Sequence, residues 1–214
     1  IDDSLFDYFA NEIFIKLETE IQDFLLVTSL TDSFSDELCR DLLENKSTKH
    51  IIDSLKRNNI FVETTAGTEQ NNTYSYHNLF RQYLVKKLHE VKSPEEIKKI
   101  AGKIFSYHKD RKDSVRAIDF SLQSGNFPDA AAMIKAVFDE LFRSGRYDIL
   151  EKWLNMLPDD IKNTDLIIRY FSAKLLYHYN SEHDAASDIF LALIKLNEKD
   201  TYVNACIEYS DILL

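Results

Sequence analysis

The chain has 214 residues, 44% of them hydrophobic and 29% charged, which allows one real core or two small ones and shows no sign of disorder. Four Gly and three Pro are too few for the many tight turns of a β-sandwich or barrel, and they suit long helices joined by short turns. The 26 basic and 36 acidic residues leave a net charge of -10, a global field that repels nucleic acid and anionic membrane.

In chain order, Ser4 is expected to cap a helix running to about Leu17, with Phe6, Phe9, Ala10, Ile13, Phe14 and Leu17 on one face. A second helix covers roughly Glu18 to Ser29. Ser35 caps Asp36 to Leu43, whose first turn is acidic as the helix dipole prefers. Ser47 or Thr48 opens a further helix that turns Ile51, Ile52 and Leu55 inward. The period then changes. Ile60 to Thr64 is β-branched and aromatic, Ala66 to Asn72 is turn-like around Gly67, and Thr73 to Tyr76 alternates, so a two-stranded hairpin is expected. Three helices and a hairpin are the order of a winged helix, assigned to residues 1–92 with a leading helix.

Beyond Lys92 only helical patterns follow. Ser93-Pro94-Glu95-Glu96 combines a capping serine, Pro at the first helical position and Glu three residues after the Ser. Helices are expected near 94–109, 114–123, 128–143, 147–156, 164–179, 182–196 and from 201 onward. Two breaks read alike, Ser124-Gly125-Asn126-Phe127 and Ser144-Gly145-Arg146-Tyr147; each Gly can take the left-handed conformation that ends a helix, and the following aromatic can pack across the turn. Residues 93–214 are therefore read as a helical arm, a tetratricopeptide-like α-solenoid truncated at its C-terminus. The fold class is mainly all-α.

Cys39 and Cys206 lie far apart in apolar helical patterns without Cys-x-x-Cys or Cys/His company, as in a reduced, cytoplasmic protein. No signal peptide and no apolar run of roughly 20 residues points to a membrane. The sequence starts at Ile1 and stops at Leu214 within helical patterns, as an excised piece of a longer polypeptide would.

The segment Tyr74-Ser75-Tyr76-His77-Asn78-Leu79-Phe80-Arg81 reads as a strand running straight into an amphipathic helix with His77 at the junction. A helix N-terminus carries free N–H groups and partial positive charge, so an imidazole there can help hold a phosphate. It can equally cap or pack. Both readings of His77 stay open on the local sequence.

The order of several segments resembles a known family. Phe24-Leu25-Leu26-Val27-Thr28-Ser29-Leu30, Leu38-Cys39-Arg40-Asp41-Leu42-Leu43, Asn59-Ile60-Phe61-Val62 and Tyr76-His77-Asn78-Leu79-Phe80-Arg81 look like the region after the ATPase domain in the maltose-regulon activator family. These are large LuxR-type, ATP-dependent bacterial transcription regulators among the signal-transduction ATPases with numerous domains. Ala117 to Asn126 with Ala130-Ala131, and Leu150 to Leu154 with Leu157-Pro158, resemble the helical arm of that family.

The resemblance implies an upstream nucleotide-binding domain, a winged helix that closes over ADP in the resting state, and an arm leading to effector-sensing and DNA-binding domains. It makes the upstream domain of the same polypeptide the first partner, with self-association or a protein partner at the arm. ADP or ATP would belong to the full-length protein, and no cofactor to this segment. Related switch ATPases carry Met-His-Asp at the same junction, with the histidine near the ADP β-phosphate; here the residues are Tyr76-His77-Asn78. His77 is thus the candidate ADP phosphate contact. Asn78 can cap a helix but supplies no charge to orient the ring.

Direct DNA binding is the rival role, because Lys46, Lys49, His50, Lys56 and Arg57 cluster about the third helix of the winged helix. Against it, Asp53 stands four residues from both Lys49 and Arg57, and residues 1–92 hold 10 basic against 16 acidic groups, a net of -6. An enzyme is not expected. No phosphate-cradling Gly-rich run occurs, no nucleophile elbow is present, and His178 and His183 straddle a helix break rather than sharing a helix face as metal ligands do. Trp153 and the aromatics Tyr107, Phe120, Phe138, Phe142, Tyr170, Phe171, Tyr177 and Phe190 fall at helical spacing, as core residues do. The expected function is a non-catalytic regulatory module coupling nucleotide state upstream to activation and oligomerisation; the alternative is a free-standing helical-repeat scaffold that binds proteins.

Overall fold

The structure, a computed structural model, describes residues 3–43, 49–57, 61–68, 71–196 and 205–207. It divides into two compact units, residues 1–111 and 112–214.

The first unit begins with α1 (Asp3–Phe14), α2 (Thr19–Thr28), the short strand β1 (Phe34–Ser35), α3 (Asp36–Leu42) and α4 (Lys49–Arg57). Strands β2 (Val62–Thr68) and β3 (Asn71–Tyr76), then α5 (Asn78–Val91) and α6 (Pro94–Asp110), complete it. The three strands form an antiparallel sheet in the order β1-β3-β2. This is a winged helix with one strand more than expected, since Phe34 and Ser35 pair with Tyr74 and Thr73.

The hairpin is longer than its sequence suggested. Pairing runs from Val62↔Tyr76 out to Thr68↔Asn71, with a register shift between Thr64 and Ala66. Phe61, expected in the strand, instead takes φ +40, and Ile60 lies outside the described residues. The third helix of the winged helix buries Ile51, Ile52 and Leu55 as expected. Its expected caps, Ser47 and Thr48, lie outside the described residues.

Two features of α1 differ from expectation. The helix already includes Asp3, so Ser4 lies in its first turn rather than at its cap, and it ends at Phe14 rather than near Leu17. Phe9 is 57% exposed and pairs edge-on with Tyr8. Ala10 and Phe14 carry the buried face, and Phe14 meets Tyr83 of α5 at 6.1 Å.

Ring packing centres this core on Phe34, which contacts Phe24 at 5.8 Å, Tyr74 at 5.8 Å and Tyr76 at 5.0 Å. Ser35 accepts from the Leu38 N–H and caps α3, as its sequence position predicts. Ser93 and Glu96 form the expected capping box at α6. The sequence reading begins the arm at residue 93, yet α6 makes polar ties within the first unit. The Tyr107 hydroxyl lies 2.9 Å from Ser35 Oγ, Lys103 donates to the Leu42 carbonyl at 3.3 Å, and Arg111 pairs with Glu37 at 2.8 Å. The compact unit accordingly runs on to Arg111.

The second unit contains α7 (Ser114–Ser124), α8 (Phe127–Arg143), α9 (Tyr147–Met156), α10 (Asp159–Thr164), α11 (Leu166–His178) and α12 (His183–Leu196), followed by a helical stretch at 205–207. Only α10 was not anticipated. Gly125 and Gly145 sit at φ +78 and +75. Behind each runs a pair of terminating bonds: Asn126 N–H to Ser121 O and Gly125 N–H to Leu122 O, then Arg146 N–H to Leu141 O and Gly145 N–H to Phe142 O. Phe127 and Tyr147, the aromatics after these glycines, pack on the core that Ile134, Phe138, Trp153, Phe171 and Phe190 form. Among the described residues no helix is long and apolar enough to cross a membrane.

Candidate functional site

His77 ends the run of β3 and serves as the N-cap residue of α5, with φ -53 and ψ 136. Its backbone is fully engaged: the N–H donates to the Phe61 carbonyl at 2.9 Å, and its own carbonyl accepts from Arg81 N–H at 3.0 Å. Its side chain makes no capping bond and is exposed. The ring lies 6.4 Å from that of Phe61, tilted by 54°. Among the described residues neither imidazole nitrogen has a hydrogen-bond partner. The first-turn N–H groups of Asn78, Leu79 and Phe80 have no acceptor within the helix, a consequence of helix geometry. Asn78 is the first helical residue, so it does not occupy the cap position that the sequence left open to it.

The platform under His77 is aromatic. Phe61 contacts Phe80 at 5.0 Å and Phe6 at 5.7 Å, and Phe80 stacks on Tyr83 at 6.2 Å. The left-handed turn at Phe61 presents its carbonyl to His77 while its ring stays in this layer; a non-Gly residue holds such a conformation only where the surroundings enforce it. One residue earlier, Tyr76 is buried with its hydroxyl 2.6 Å from Thr28 Oγ1. Thr28 donates to the Phe24 carbonyl at 2.7 Å, which leaves Tyr76 as donor to Thr28. Burial raises the Tyr76 pKa well above the ordinary phenol range, so it remains a neutral donor.

Arg81, one turn into α5, is the residue whose role the sequence did not disclose. Its Nε donates to the carbonyls of Ser29 and Thr31, both at 3.0 Å, and a terminal nitrogen pairs with Asp32 at 3.0 Å. A guanidinium at this place neutralises the negative end of α2 and ties it to α5. The only sequence sign was an arginine following the junction; nothing local pairs it with carbonyls fifty residues earlier.

The basic residues around α4 are arranged otherwise than the ion-pair reading anticipated. Lys56 donates to Thr64 Oγ1 at 2.6 Å and its ammonium lies 4.7 Å over the Tyr74 ring, which ties it to the sheet. Asp53 and Arg57 are exposed and make no ion pair with each other, while Lys46 and the side chain of Lys49 lie outside the described residues. His178 and His183 each meet Tyr177 edge-on, at 4.7 and 4.9 Å. Trp153 is fully buried, with its indole N–H donating to Asp119 at 3.0 Å. Phe120, Phe138, Tyr170, Phe171 and Phe190 are buried as expected, whereas Tyr107, Phe142 and Tyr177 are half-buried.

The segment that holds strand, junction and helix lies within a known sequence family: residues 10–97 match the family described as the MalT winged helix domain. The winged helix of this chain is similar to that domain. The resemblance extends beyond that domain. HTH-type transcriptional regulator MalT of Vibrio parahaemolyticus is 27% identical over 180 residues, 82% of this chain and 20% of that protein. The MalT regulators of Vibrio campbellii and Vibrio cholerae are 27% and 26% identical over 159 residues, each match covering 17% of the relative. The chain thus spans about one fifth of the length of the MalT relatives it matches.

Proposed function

We propose that this chain is a non-catalytic regulatory and interaction module of a bacterial ATP-dependent transcription regulator. It couples the nucleotide state of an upstream ATPase domain to activation and oligomerisation. The carrying observation is His77: an exposed imidazole, with neither nitrogen engaged by any described residue, belongs to the N-cap residue of a helix whose first-turn N–H groups have no acceptor within the helix. The backbone bonds to Phe61 and Arg81 hold the histidine in place and leave its ring for a ligand. An ADP phosphate is the ligand that this combination fits, as in the related switch ATPases.

The second unit serves as the arm. Its polar ties between helices, Lys135 to Asp165, Lys152 to Asp119, Trp153 to Asp119 and Asn180 to Glu151, span 30, 33, 34 and 29 residues. Such a recurrent span supports a tetratricopeptide-like stack, in which each helical pair meets the next. Closure over ADP would hold the module docked, and exchange for ATP would release the arm for self-association. DNA reading by α4 is disfavoured, because Lys56 is spent on the sheet.

The test is His77→Ala in the full-length polypeptide, with ADP affinity measured by calorimetry. The substitution spares both backbone bonds, so the fold should stand. Loss of one hydrogen bond to a charged phosphate predicts affinity weaker by about tenfold or more. Unchanged ADP affinity sinks the sensor role.

A further inference from the structure

The second unit contains a cavity of about 380 Å³ among α9, α10, α11 and α12, within the size range of small-molecule pockets. Its apolar lining is Leu154, Leu175, Leu176 and Ile189, and Arg169 stands at the same cavity. Arg169 is half-buried, yet among the described residues its guanidinium has no side-chain partner. The acids around it are committed elsewhere. Asp159 pairs with Lys162 at 2.8 Å, Glu151 accepts from Asn180 at 2.8 Å, and Asp165 holds Lys135 at 2.6 Å while capping α11.

A guanidinium offers five donors in a planar fork suited to a carboxylate, and leaving it half-buried without a partner costs free energy that a bound anion would recover. The aliphatic lining favours an apolar tail. Glu151 lines the same cavity, so a second negative charge on the ligand would be repelled.

We infer that this cavity binds a small organic monocarboxylate with a branched apolar tail, its carboxylate on Arg169 and its tail against Leu154, Leu175, Leu176 and Ile189. This inference is independent of the nucleotide role of His77. It gives the arm a small-molecule input of its own.

The experiment titrates the 214-residue chain with 4-methylpentanoate and follows backbone amides by two-dimensional NMR, with 4-methylpentanamide and inorganic phosphate as parallel probes. Saturable shifts at Ser172, Leu176 and Ile189 are expected with the carboxylate, and weak or no binding with the amide or with phosphate. Arg169→Met should weaken the carboxylate at least tenfold, and Glu151→Gln should preserve or tighten it. Because Arg169 makes no side-chain bond to any described residue, the Met variant is expected to fold, with thermal melting as the check. If it does not fold, Arg169→Lys must weaken binding several-fold, since it keeps the charge and loses the fork. Absence of saturable binding, equal binding of amide or phosphate, or unchanged affinity in the Arg169 variant would each overturn the inference.

Discussion

The two units are stitched over different distances along the chain. In the first, the polar ties join Thr28 to Tyr76, Arg81 to Ser29, Asn11 to Tyr83 and Ser35 to Tyr107, partners 48, 52, 72 and 72 residues apart. In the second, the ties between helices span 29 to 34 residues. A sheet at the centre of the winged helix forces distant segments together before any of them is stable, whereas the second unit can assemble from neighbours. The first unit should therefore lose structure as a whole, and the second should respond most strongly near the site of damage.

The largest expected effect is in the second unit. Trp153→Ala removes a fully buried indole and its bond to Asp119 and should cost about 4 kcal/mol in a denaturant melt, by the usual range for large-to-small core changes. A loss below 1 kcal/mol would show that the helix stack does not depend on this residue. Next comes Arg81→Met, which leaves the carbonyls of Ser29 and Thr31 without their donor and should cost about 2 kcal/mol. If long-range stitching governs the first unit, hydrogen exchange in this variant rises in both α2 and α5. A rise confined to α5 would break the comparison.

Tyr76→Phe is a milder probe of the same stitching. It deletes the donor to Thr28 and should cost about 1 kcal/mol, read as a lowered unfolding midpoint. Gly125→Ala should cost a similar or smaller amount, about 1 kcal/mol, because the space is open and only the left-handed backbone at φ +78 opposes the side chain. Its effect should remain within α7 and α8. Each unit carries one thiol with which to follow such changes. Cys39 is fully buried, and burial, assisted by the charge of Asp36, pushes its pKa upward, so labelling should occur only when the first unit opens. Cys206, half-buried next to the core residue Ala205, reports on the second.

The same contrast explains which features could be read from the sequence. The capping box at Ser93, the cap at Ser35, the turns at Gly125 and Gly145 and the inward face of Ile51, Ile52 and Leu55 are local signals, each contained within one helical turn. They held because nothing distant overrides them. Strand β1 has two residues and exists because β3, about forty positions later, pairs with it. Helix α10, six residues long, is too short to show a helical period. Phe9 followed the apolar pattern of α1, but burial falls to Ala10 and Phe14, a choice made by Tyr83 and the rest of the opposing surface. At the candidate site, His77 was visible as a residue between strand and helix. The freedom of its ring was not, because an imidazole at a cap position can turn either way, and the left-handed Phe61 that positions it has no local sequence signature.

One hydrogen bond, Arg81 N–H to the His77 carbonyl, joins the residue that faces outward at the junction to the residue that grips the end of α2. The first turn of α5 is consequently a rocker with a pad at one end and a hook at the other. A force on the pad that tilts this turn pulls on three consecutive carbonyls, those of Ser29, Leu30 and Thr31, and so reaches a helix whose sequence lies fifty residues away.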